Sequence, residues 1–253
     1  MKDEPAKQAK PKIFVLIDGK SLFYRGYYAM PHLSTADGRP TGGVYGFASL
    51  ALELVRQLRP DYVAVAWDKA KTNIRRRRAI YPEYKANRHP APPDFYQQIP
   101  ILRQLLEALG WPFYEVDDYE ADDIIGTLSK QANRAGIHTV IASSDLDMLQ
   151  LIDDDTEVYA LKKGLSSIDR FDVKAFQAKY GIRVDQFLDL KSLKGDSSDN
   201  IPGVPGVGEK TAVALLQKYH DLDGVYAHLD EITGAAQRRL ADGKASAYMS
   251  REL

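Results

Sequence analysis

The chain has 253 residues, of which 44% are hydrophobic and 27% are charged, and its formal net charge is −1. This length allows one large α/β domain or a domain with a small appendage, and the composition is ordinary for a soluble globular protein. There is no cysteine, which excludes disulfides and thiolate metal sites and is compatible with a reducing compartment.

Residues 1–12 are rich in lysine, contain two prolines and lack the apolar stretch of a signal peptide. We therefore predict that they form a disordered tail. No later apolar run approaches the length that a membrane-spanning helix requires, so no membrane partner is expected.

The first predicted strand is the apolar run at residues 13–17, which ends at Asp18-Gly19. Such a run is typical of a strand buried on both faces of a parallel sheet. The pattern repeats at residues 62–67, before Asp68. Further strands are predicted at 111–116, 138–142 and 156–161, with helical spacing of apolar residues at 47–58, 102–109 and 124–128. This alternation predicts an α/β fold, a doubly wound and mostly parallel sheet with helices on both faces.

Acidic residues follow four of the predicted strands, at the edge of the sheet where ligands bind in this architecture. Carboxylates ~4 Å apart repel by about 1 kcal/mol in water-like surroundings and about 4 kcal/mol at an effective dielectric near 20, so a cation is expected among them. Oxygen ligands favour Mg²⁺ or Mn²⁺ over zinc. The acids are Asp18, Asp68, the group Glu120, Asp122 and Asp123, and the pair Asp145 and Asp147.

A simpler interpretation makes these acids helix caps and solvated first-turn residues, with Asp118 as the cap of the helix that follows. On a helix, Glu120 and Asp123 share a face, whereas Asp122 points about 200° away from Glu120. All three can converge only if Glu120 lies in the loop that enters the helix.

A strongly basic stretch lies between the second and third predicted strands. It contains a single acid, Glu83, among eight basic residues: Lys69, Lys71, Arg75, Arg76, Arg77, Arg78, Lys85 and Arg88. Charge segregated in this way suggests a polyanion bound by the basic part and metal ions bound by the acidic part.

From about Gly181 the β signals stop. Two more acids, Asp196 and Asp199, precede a glycine-rich segment at 203–208 that opens an apolar helix. Glycines let the backbone approach a ligand closely, and a helix N-terminus offers free N–H groups to a phosphate. A tight turn between two helices would use the same glycines, so both interpretations remain open.

These stretches together resemble the 5′-nuclease (flap endonuclease) superfamily, most closely the N-terminal 5′-3′ exonuclease domain found in bacterial DNA polymerase I. The resemblance covers nearly all of the chain from Ile13. It is carried by Asp18-Gly19 with residues 24–29, by 40–47, by Tyr81 to Arg88, by Tyr119 to Asp123, by Ser144 to Asp147 and above all by Gly195 to Ala212.

The resemblance implies a PIN-like catalytic domain at 13–180 with a helical arch at about 69–93. It also implies a helix-three-turn-helix region at 181–253 that grips duplex phosphates and holds K⁺. The implied partners are DNA with 5′ flaps, 5′ overhangs or nicks and two Mg²⁺ (or Mn²⁺) ions. The resemblance further implies a monomer that is free or part of a longer polymerase. Its implied location is the bacterial cytoplasm, on the nucleoid.

The resemblance also assigns roles to individual residues. One metal ion would be held by Asp68, Glu120, Asp122, Asp123 and Asp145 with Asp18 nearby, and the second by Asp147, Asp196 and Asp199. Catalysis would involve Asp123 and Asp145, with Lys85 and either Arg75 or Arg77 balancing the charge of the scissile phosphate. DNA would be contacted by Tyr27, Tyr84, Arg88, Gly203, Val204, Gly206, Gly208, Lys210 and Thr211. For Tyr27, Tyr28 and Tyr84, stacking on unpaired bases and simple packing both remain open.

The chain departs from the family pattern at two places. The usual Thr-Phe-Arg triplet at the base of the arch is replaced by Thr72-Asn73-Ile74 and four arginines, so the phosphate-contacting arginine is left open. The sequence ends at Leu253 where relatives continue, which predicts a truncated C-terminal region.

Three other functions fit part of the pattern. A PIN-type ribonuclease would lack the glycine-rich segment at 203–208. A haloacid-dehalogenase-like phosphatase would need an acid two residues after Asp18, where Lys20 stands. A non-catalytic flap-binding module would be expected to have lost acids from the cluster, and none is missing.

The arch also carries a structural expectation. Four consecutive arginines fan through about 300° on a helix, so they cannot all face one phosphate. Lys85 and Arg88 should line one side, joined by Arg75 or Arg78 if the helix is continuous. Like charges at helical spacing destabilise a helix, so poor order is expected in the absence of DNA.

Overall fold

Six strands form a single sheet in the order β3-β2-β1-β4-β5-β6. In this computed structural model, which describes residues 10–162 and 167–253, all neighbouring strands are parallel except β5 and β6. The strands are β1 (Ile13–Asp18), β2 (Tyr62–Ala66), β3 (Phe113–Tyr114), β4 (His138–Ser143), β5 (Thr156–Leu161) and β6 (Ile168–Phe171). The mostly parallel sheet is confirmed.

Two details of the sheet differ from the sequence-based expectation. The third strand is two residues long instead of six, because it lies at the edge of the sheet and pairs only with β2 through Val65 and Ala66. The antiparallel strand β6 was not predicted. The predicted tail at residues 1–12 lies mostly outside the described ranges, and the carbonyl of Lys12 already accepts the N–H of His138 at 2.9 Å.

Helices cover both faces of the sheet. Those before β3 are α1 (Gly19–Ala29), α2 (Gly42–Leu58), α3 (Arg75–Ile80), α4 (Pro93–Gln97) and α5 (Ile99–Ala108). Those after β3 are α6 (Ala121–Arg134), α7 (Val173–Tyr180), α8 (Phe187–Lys194), α9 (Glu209–Tyr219), α10 (Leu222–Ala227) and α11 (Gly234–Glu252), with a 3₁₀ helix at Leu146–Leu151. None of the helices in the described part of the chain is long and apolar enough to cross a membrane.

The strands are apolar on both sides because each side buries a different hydrophobic core. Val15 and Ile17 face the core formed with α1, α2 and α5. Leu16, between them, faces the core formed with α6 and the C-terminal helices. The second core runs without interruption from Leu16 to Leu216 and Ala247, so the predicted helix-three-turn-helix region packs directly on the sheet.

Helices α1 and α2 cross in close backbone contact. A Cβ atom added to Gly46 would lie 2.2 Å from the Cα of Gly26, and one added to Gly26 would lie 2.7 Å from the Cα of Gly46. Any side chain at either position would push the helices apart. The contact matters for the site because α1 begins directly after Asp18.

The predicted arch is only partly helical. Helix α3 ends at Ile80, and residues 81–88 form turns rather than a continuation of the helix. Lys85 adopts a left-handed conformation with φ of 55°, and its N–H donates to the carbonyl of Asp199 at 2.9 Å. The side chain of Asn200 donates to the carbonyl of Glu83 at 2.7 Å, which also ties this turn to the C-terminal region. The helix is therefore not continuous through Arg88, and the condition under which Arg75 or Arg78 would align with Lys85 and Arg88 is not met.

Candidate active site

The register of the sheet brings four carboxylates together at one edge. Asp18 is the last residue of β1 and pairs with Ala66 of β2, two residues before Asp68. Ile17 pairs with Ala142 of β4, so Asp145 emerges beside Asp18. Asp122, in the first turn of α6, completes a set that we call the acidic group: Asp18, Asp68, Asp122 and Asp145. The group lines a cavity of about 700 Å³.

Two members of the acidic group, Asp18 and Asp122, hold protons more strongly than isolated carboxylates, mainly because they are buried. Burial, followed by the charges of Asp18 and Asp145, raises the pKa of Asp122 well above its ordinary value. Burial likewise raises the pKa of Asp18 to about 6, against the opposing effect of two hydrogen bonds. This arrangement of like charges would be relieved by a bound cation.

Ser143 holds two members of the acidic group in place. Its buried hydroxyl donates to Asp18 Oδ2 at 2.6 Å and accepts the N–H of Asp145 at 2.9 Å. Asp18 Oδ1 accepts the N–H of Ser21 at 3.1 Å and so caps α1, while Asp145 accepts the N–H of Asp147 at 2.9 Å and caps the 3₁₀ helix. The capping interpretation is thus confirmed for these two residues, and it is compatible with a role for both in the site.

Glu120 and Asp199 connect the acidic group to the basic turn at 81–88. Tyr84 donates its hydroxyl to Glu120 at 2.7 Å and lies 3.4 Å from Asp199. Lys85 forms ion pairs with both carboxylates, at 3.4 Å in the case of Asp199, and Arg88 pairs with Asp199. Burial and the adjacent charge of Glu120 raise the pKa of Tyr84, which therefore stays protonated and serves as a donor.

A second pair of acids lies on the C-terminal side of the site. Lys191 of α8 places its Nζ 2.5 Å from a carboxylate oxygen of Asp147 and 2.5 Å from one of Asp196. Burial raises the pKa of Asp196, but the hydrogen bonds from Lys191 and Ser198 outweigh it and lower the value to about 2. Asp147, Asp196 and Asp199 all line a neighbouring cavity of about 520 Å³.

Asp123 does not join the acidic group. It forms a capping box with Glu120, whose N–H it accepts at 2.9 Å, and a bidentate ion pair with Arg77 at 2.7 and 3.0 Å. Glu120 is the N-cap and lies in the entering loop, whereas Asp122 projects from the other side of the helix toward Asp18. The structure thus contradicts both the capping role expected for Asp118 and the convergence of Asp123 with Asp122.

The arginines of α3 differ in what they contact. Arg77 is largely buried and also lies 3.1 Å from Glu120, so it reaches the edge of the site. Arg75 is exposed and pairs with Asp118 at 2.6 Å, while Arg76 stacks over Tyr119 and Arg78 donates to the carbonyl of Tyr84. The possible role of Arg75 at the scissile phosphate is not supported, because its guanidinium is committed to a carboxylate outside the site.

Of the three tyrosines for which base stacking and packing were both open, Tyr27 and Tyr84 are buried. Tyr84 is 3% exposed and Tyr27 is 7% exposed, with its hydroxyl bound to Asp94 at 2.8 Å, so packing is the correct interpretation for both. Tyr28 is exposed and its ring stacks with that of Tyr24 at 5.8 Å. Both of these rings line the cavity of the acidic group and present aromatic surface there.

Most of the backbone groups in the glycine-rich segment are already used inside the protein. Gly203 donates its N–H to Ser250 at 3.1 Å, and Val204 donates to the carbonyl of Leu193 at 2.8 Å and buries its side chain. Direct contact of Gly203 and Val204 with DNA is therefore contradicted. Helix α9 begins after Gly208 without a side-chain cap, and Lys210 and Thr211 are exposed in its first turn.

The residues fit divalent cations in the chemistry of their donors. The acidic group and the pair Asp147 and Asp196 offer only carboxylate oxygens, which are the ligands that Mg²⁺ and Mn²⁺ prefer. Within residues 10–162 and 167–253, no three acidic or histidine side chains are already grouped closely enough to hold a metal ion. Three ammonium groups contact these acids instead: Lys20 pairs with Asp68, Lys85 with Glu120 and Asp199, and Lys191 with Asp147 and Asp196.

Four functional candidates were missed by the sequence analysis. Ser143, Lys20 and Lys191 contact acids of the site, and Arg25 lines the cavity with two buried guanidinium nitrogens that lack a protein partner. Burial lowers the pKa of Arg25. Lys20 directly follows Asp18-Gly19, so position alone could have drawn attention to it, whereas the contacts of Ser143 and Lys191 arise only from tertiary packing.

Two family models together match the described part of the chain. Residues 13–181 match the 5′-3′ exonuclease, N-terminal resolvase-like domain. Residues 182–253 match the 5′-3′ exonuclease, C-terminal SAM fold.

Relatives of known sequence are bacterial DNA polymerases. DNA polymerase I of Bacillus subtilis (strain 168) is 42% identical over 243 residues, which cover 96% of this chain and 27% of that protein. DNA polymerase I of Mycobacterium tuberculosis (strain ATCC 25618 / H37Rv) is 40% identical over 248 residues, which cover 97% of this chain and 27% of that protein. The chain thus spans about a quarter of the length of these relatives.

Solved structures share the fold. The bacteriophage T5 5′-exonuclease with bound zinc superposes with a TM-score of 0.76 at 20% identity, covering 95% of this chain and 88% of that one. The T5 flap endonuclease in a pseudo-enzyme-product complex with DNA and metal ions has a TM-score of 0.77 at 20% identity. The match covers 95% of this chain and 88% of that one. The catalytic core of Rad2 with its DNA substrate has a TM-score of 0.57 at 14% identity, with 93% and 74% covered.

Proposed function

The chain belongs to the 5′-3′ exonuclease family and is a nuclease, and from that premise we propose that it hydrolyses DNA at 5′ flaps and 5′ ends with two Mg²⁺ ions. The observation that carries this proposal is the acidic group at the edge of three neighbouring parallel strands, faced by the cations of the turn at 81–88. Carboxylates bind the metal ions, and the cations suit the phosphate backbone of a nucleic acid.

The metal ions divide between two sets of residues in this proposal. Asp18, Asp68, Asp122 and Asp145 would hold the first, and Asp147, Asp196 and Asp199 would hold the second. When bound, a metal pair of this kind activates water and stabilises the attacking and leaving oxygens of an in-line displacement. Ser143 supports the reaction by keeping Asp18 and Asp145 in register.

Lys85 and Arg77 are the cations best placed to balance charge on the scissile phosphate. Both contact Glu120, at the boundary between the two sets of acids. Tyr84 orients Glu120 from the other side and keeps its own proton. Glu120 therefore holds these cations rather than contacting the metal ions directly, and Asp123 positions Arg77.

The N-terminus of α9 is the proposed anchor for the duplex. Backbone N–H groups there carry no sequence code, so binding should be independent of base sequence. A K⁺ ion at this turn remains a prediction of the family resemblance. Arg88 stays a candidate DNA ligand because 43% of its side chain is exposed next to the site.

Replacing Lys210 tests the proposed duplex anchor. We expect Lys210→Ala to weaken DNA binding evenly across sequences and to flatten the log–log salt dependence by about 0.9, because one phosphate contact is lost. The measurement is an equilibrium binding titration at several salt concentrations with two unrelated duplex sequences. A loss confined to one sequence would contradict the anchor.

Alanine variants of the basic residues test the proposed role of Arg77 and Lys85. We expect Arg77→Ala and Lys85→Ala to slow flap cleavage by about 10²-fold, the usual effect of removing one electrostatic donor. Arg75→Ala and Arg76→Ala should stay within about threefold of the wild type, since the exposed ion pair of Arg75 contributes little and Arg76 contacts only the ring of Tyr119. Single-turnover rates at low and high salt give the ranking. If all variants cleave within twofold of the wild type, the basic turn is a solvated surface instead.

The function itself is tested by incubating the protein with 5′-flap, 3′-flap and blunt duplex DNA, with and without Mg²⁺. Cleavage of the 5′-flap substrate that requires Mg²⁺ is the expected result. Including single-stranded RNA tests the alternative of a PIN-type ribonuclease. Binding without cleavage would indicate a non-catalytic flap-binding module.

The relatives suggest a wider setting. Since they are DNA polymerases I several times longer than this chain, we propose that the nuclease acts alongside a polymerase in the bacterial cytoplasm, on nucleoid DNA. A monomeric state is part of the same proposal.

A further inference from the structure

Lys20 is a cation of the site that the proposed reaction does not use. It is the second residue of α1, and its Nζ lies 3.1 Å from Asp68 Oδ2. A third of its side chain is exposed, and it faces the same cavity as Tyr24 and Arg25. Lys20 therefore lies beside the proposed metal ligand Asp68 and the basic side chain of Arg25, in the cavity that a DNA strand would enter.

Asp68 has two partners that differ in how easily they can leave. Its Oδ1 accepts the N–H of Ala121 at 2.9 Å, a backbone group fixed at the start of α6. Its Oδ2 accepts the ammonium of Lys20, which ends a flexible side chain. A divalent cation at Oδ2 would repel an ammonium only about 3 Å away, so binding of the cation would release Lys20.

The released ammonium would remain in the cavity but without a free carboxylate. Asp18 is bound by Ser143 and Ser21. Asp122 and Asp145 would share the metal ion with Asp68. The side of the cavity that remains open is lined by Arg25 and by the stacked rings of Tyr24 and Tyr28. Cations beside stacked aromatic rings are the combination that binds the backbone and bases of single-stranded nucleic acid.

We propose that Lys20 binds a phosphate of the DNA strand and that Asp68 holds it until a divalent cation takes its place. The proposal rests on the proposed function, because it requires both the metal ion and the strand at this site. The phosphate is either a 5′-terminal monoester or an internal diester, which offer a lysine the same chemistry. Lys20 thereby couples metal binding to capture of the strand.

The test uses Lys20→Met, which keeps the length of the side chain and removes its charge, and Lys20→Arg, which keeps the charge. The control is Lys218→Met, because Lys218 forms an exposed ion pair with Glu231 at 3.5 Å in the last turn of α9 and lines neither cavity of the site. Thermal denaturation of each variant establishes that it is folded.

The first measurement is a calorimetric titration with Mn²⁺ in the absence of DNA. Lys20→Met should bind Mn²⁺ several-fold more tightly than the wild type, because the ion no longer displaces an ammonium from Asp68. Lys218→Met should match the wild type. Unchanged or weaker binding by Lys20→Met would overturn the proposal.

The second measurement locates the phosphate by replacing single DNA linkages near the scissile bond with uncharged methylphosphonates, and by comparing 5′-phosphate with 5′-hydroxyl ends. At the contacted phosphate, the neutral linkage should raise the KM of the wild type and of Lys20→Arg by about tenfold, the expected loss of one hydrogen bond to a charged group. Lys20→Met should be insensitive at that position. If the KM depends on whether the 5′ end carries a phosphate or a hydroxyl, Lys20 binds the 5′-terminal monoester. If the KM depends on one methylphosphonate linkage, Lys20 binds that internal diester.

The outcomes separate this inference from the proposed function. If the wild type fails to cleave a 5′ flap in Mg²⁺, both the proposed function and the role of Lys20 are contradicted. In a second outcome, the wild type cleaves and Lys20→Met shows the same methylphosphonate profile as the wild type. This result contradicts the binding of a phosphate by Lys20 and leaves the proposed function intact, even if Lys20→Met binds Mn²⁺ more tightly. In that case Lys20 is a counter-ion of Asp68 alone.

Discussion

Replacing Asp145 by alanine should lower the turnover of a 5′-flap substrate by at least about 10² to 10³, the usual effect of losing one electrostatic group in an active site. Asp145 lies at the centre of the acidic group, and its charge contributes to the raised pKa values of Asp18 and Asp122. DNA affinity should change little, because Asp145 carries the same charge sign as the phosphates. Single-turnover cleavage and a binding titration give the two quantities.

Asp145→Asn separates the metal-binding role from a structural one. The amide oxygen of asparagine can still accept the N–H of Asp147, which the carboxylate accepts at 2.9 Å, so the cap of the 3₁₀ helix survives. We expect this variant to be nearly as inactive as Asp145→Ala because it lacks the charge that a divalent cation requires. An active Asp145→Asn would show that the residue matters only as a cap.

Replacing Gly46 should have the largest effect on stability. A Cβ atom at this position would lie 2.2 Å from the Cα of Gly26, so α1 and α2 must move apart to accept any side chain. We expect Gly46→Ala to lower the free energy of unfolding by about 3 kcal/mol, with the helix-propensity gain of about 1 kcal/mol offsetting only part of the overpacking. Gly46→Leu should lower it further. Urea denaturation followed by circular dichroism measures both changes.

The neighbouring Tyr45 provides a control on the same helix. Its side chain is 56% exposed, so Tyr45→Ala should change stability by no more than about 0.5 kcal/mol. Because α1 begins at the acidic group, a destabilised contact between α1 and α2 should also slow cleavage. If Gly46→Ala is as stable as the wild type, the two helices are not held at this distance in solution.

Much of the fold could be predicted because its signals are local. The apolar runs that end at Asp18 and Asp68 are long enough to indicate buried parallel strands, and their order in the chain fixes the acids at one edge of the sheet. Strand β3 was predicted too long and β6 was missed because both lie at the edges of the sheet, where alternation and burial are weak.

The sequence also indicated which of the candidate acids at the start of α6 share a face of the helix. Helical spacing separates Asp122 from Glu120 and Asp123, and the structure follows that spacing: Asp122 faces Asp18, while Asp123 binds Arg77. The resemblance alone placed all three around one ion. The contacts of these three residues therefore match the helical spacing, and their shared binding of one ion stays a prediction.

The sequence by itself determined the four inner strands, the acids that follow β1, β2 and β4 and the glycine-rich helix start, because each depends on neighbours within a few residues. Tertiary structure alone decided which cations meet those acids. Lys85, Arg77 and Lys191 come from three separate segments, and nothing near them in the chain indicates Glu120, Asp123 or Asp147 as partners. Burial of Tyr27 and Tyr84 is likewise a property of the packed molecule, since an aromatic ring in a polar stretch can face either DNA or the core.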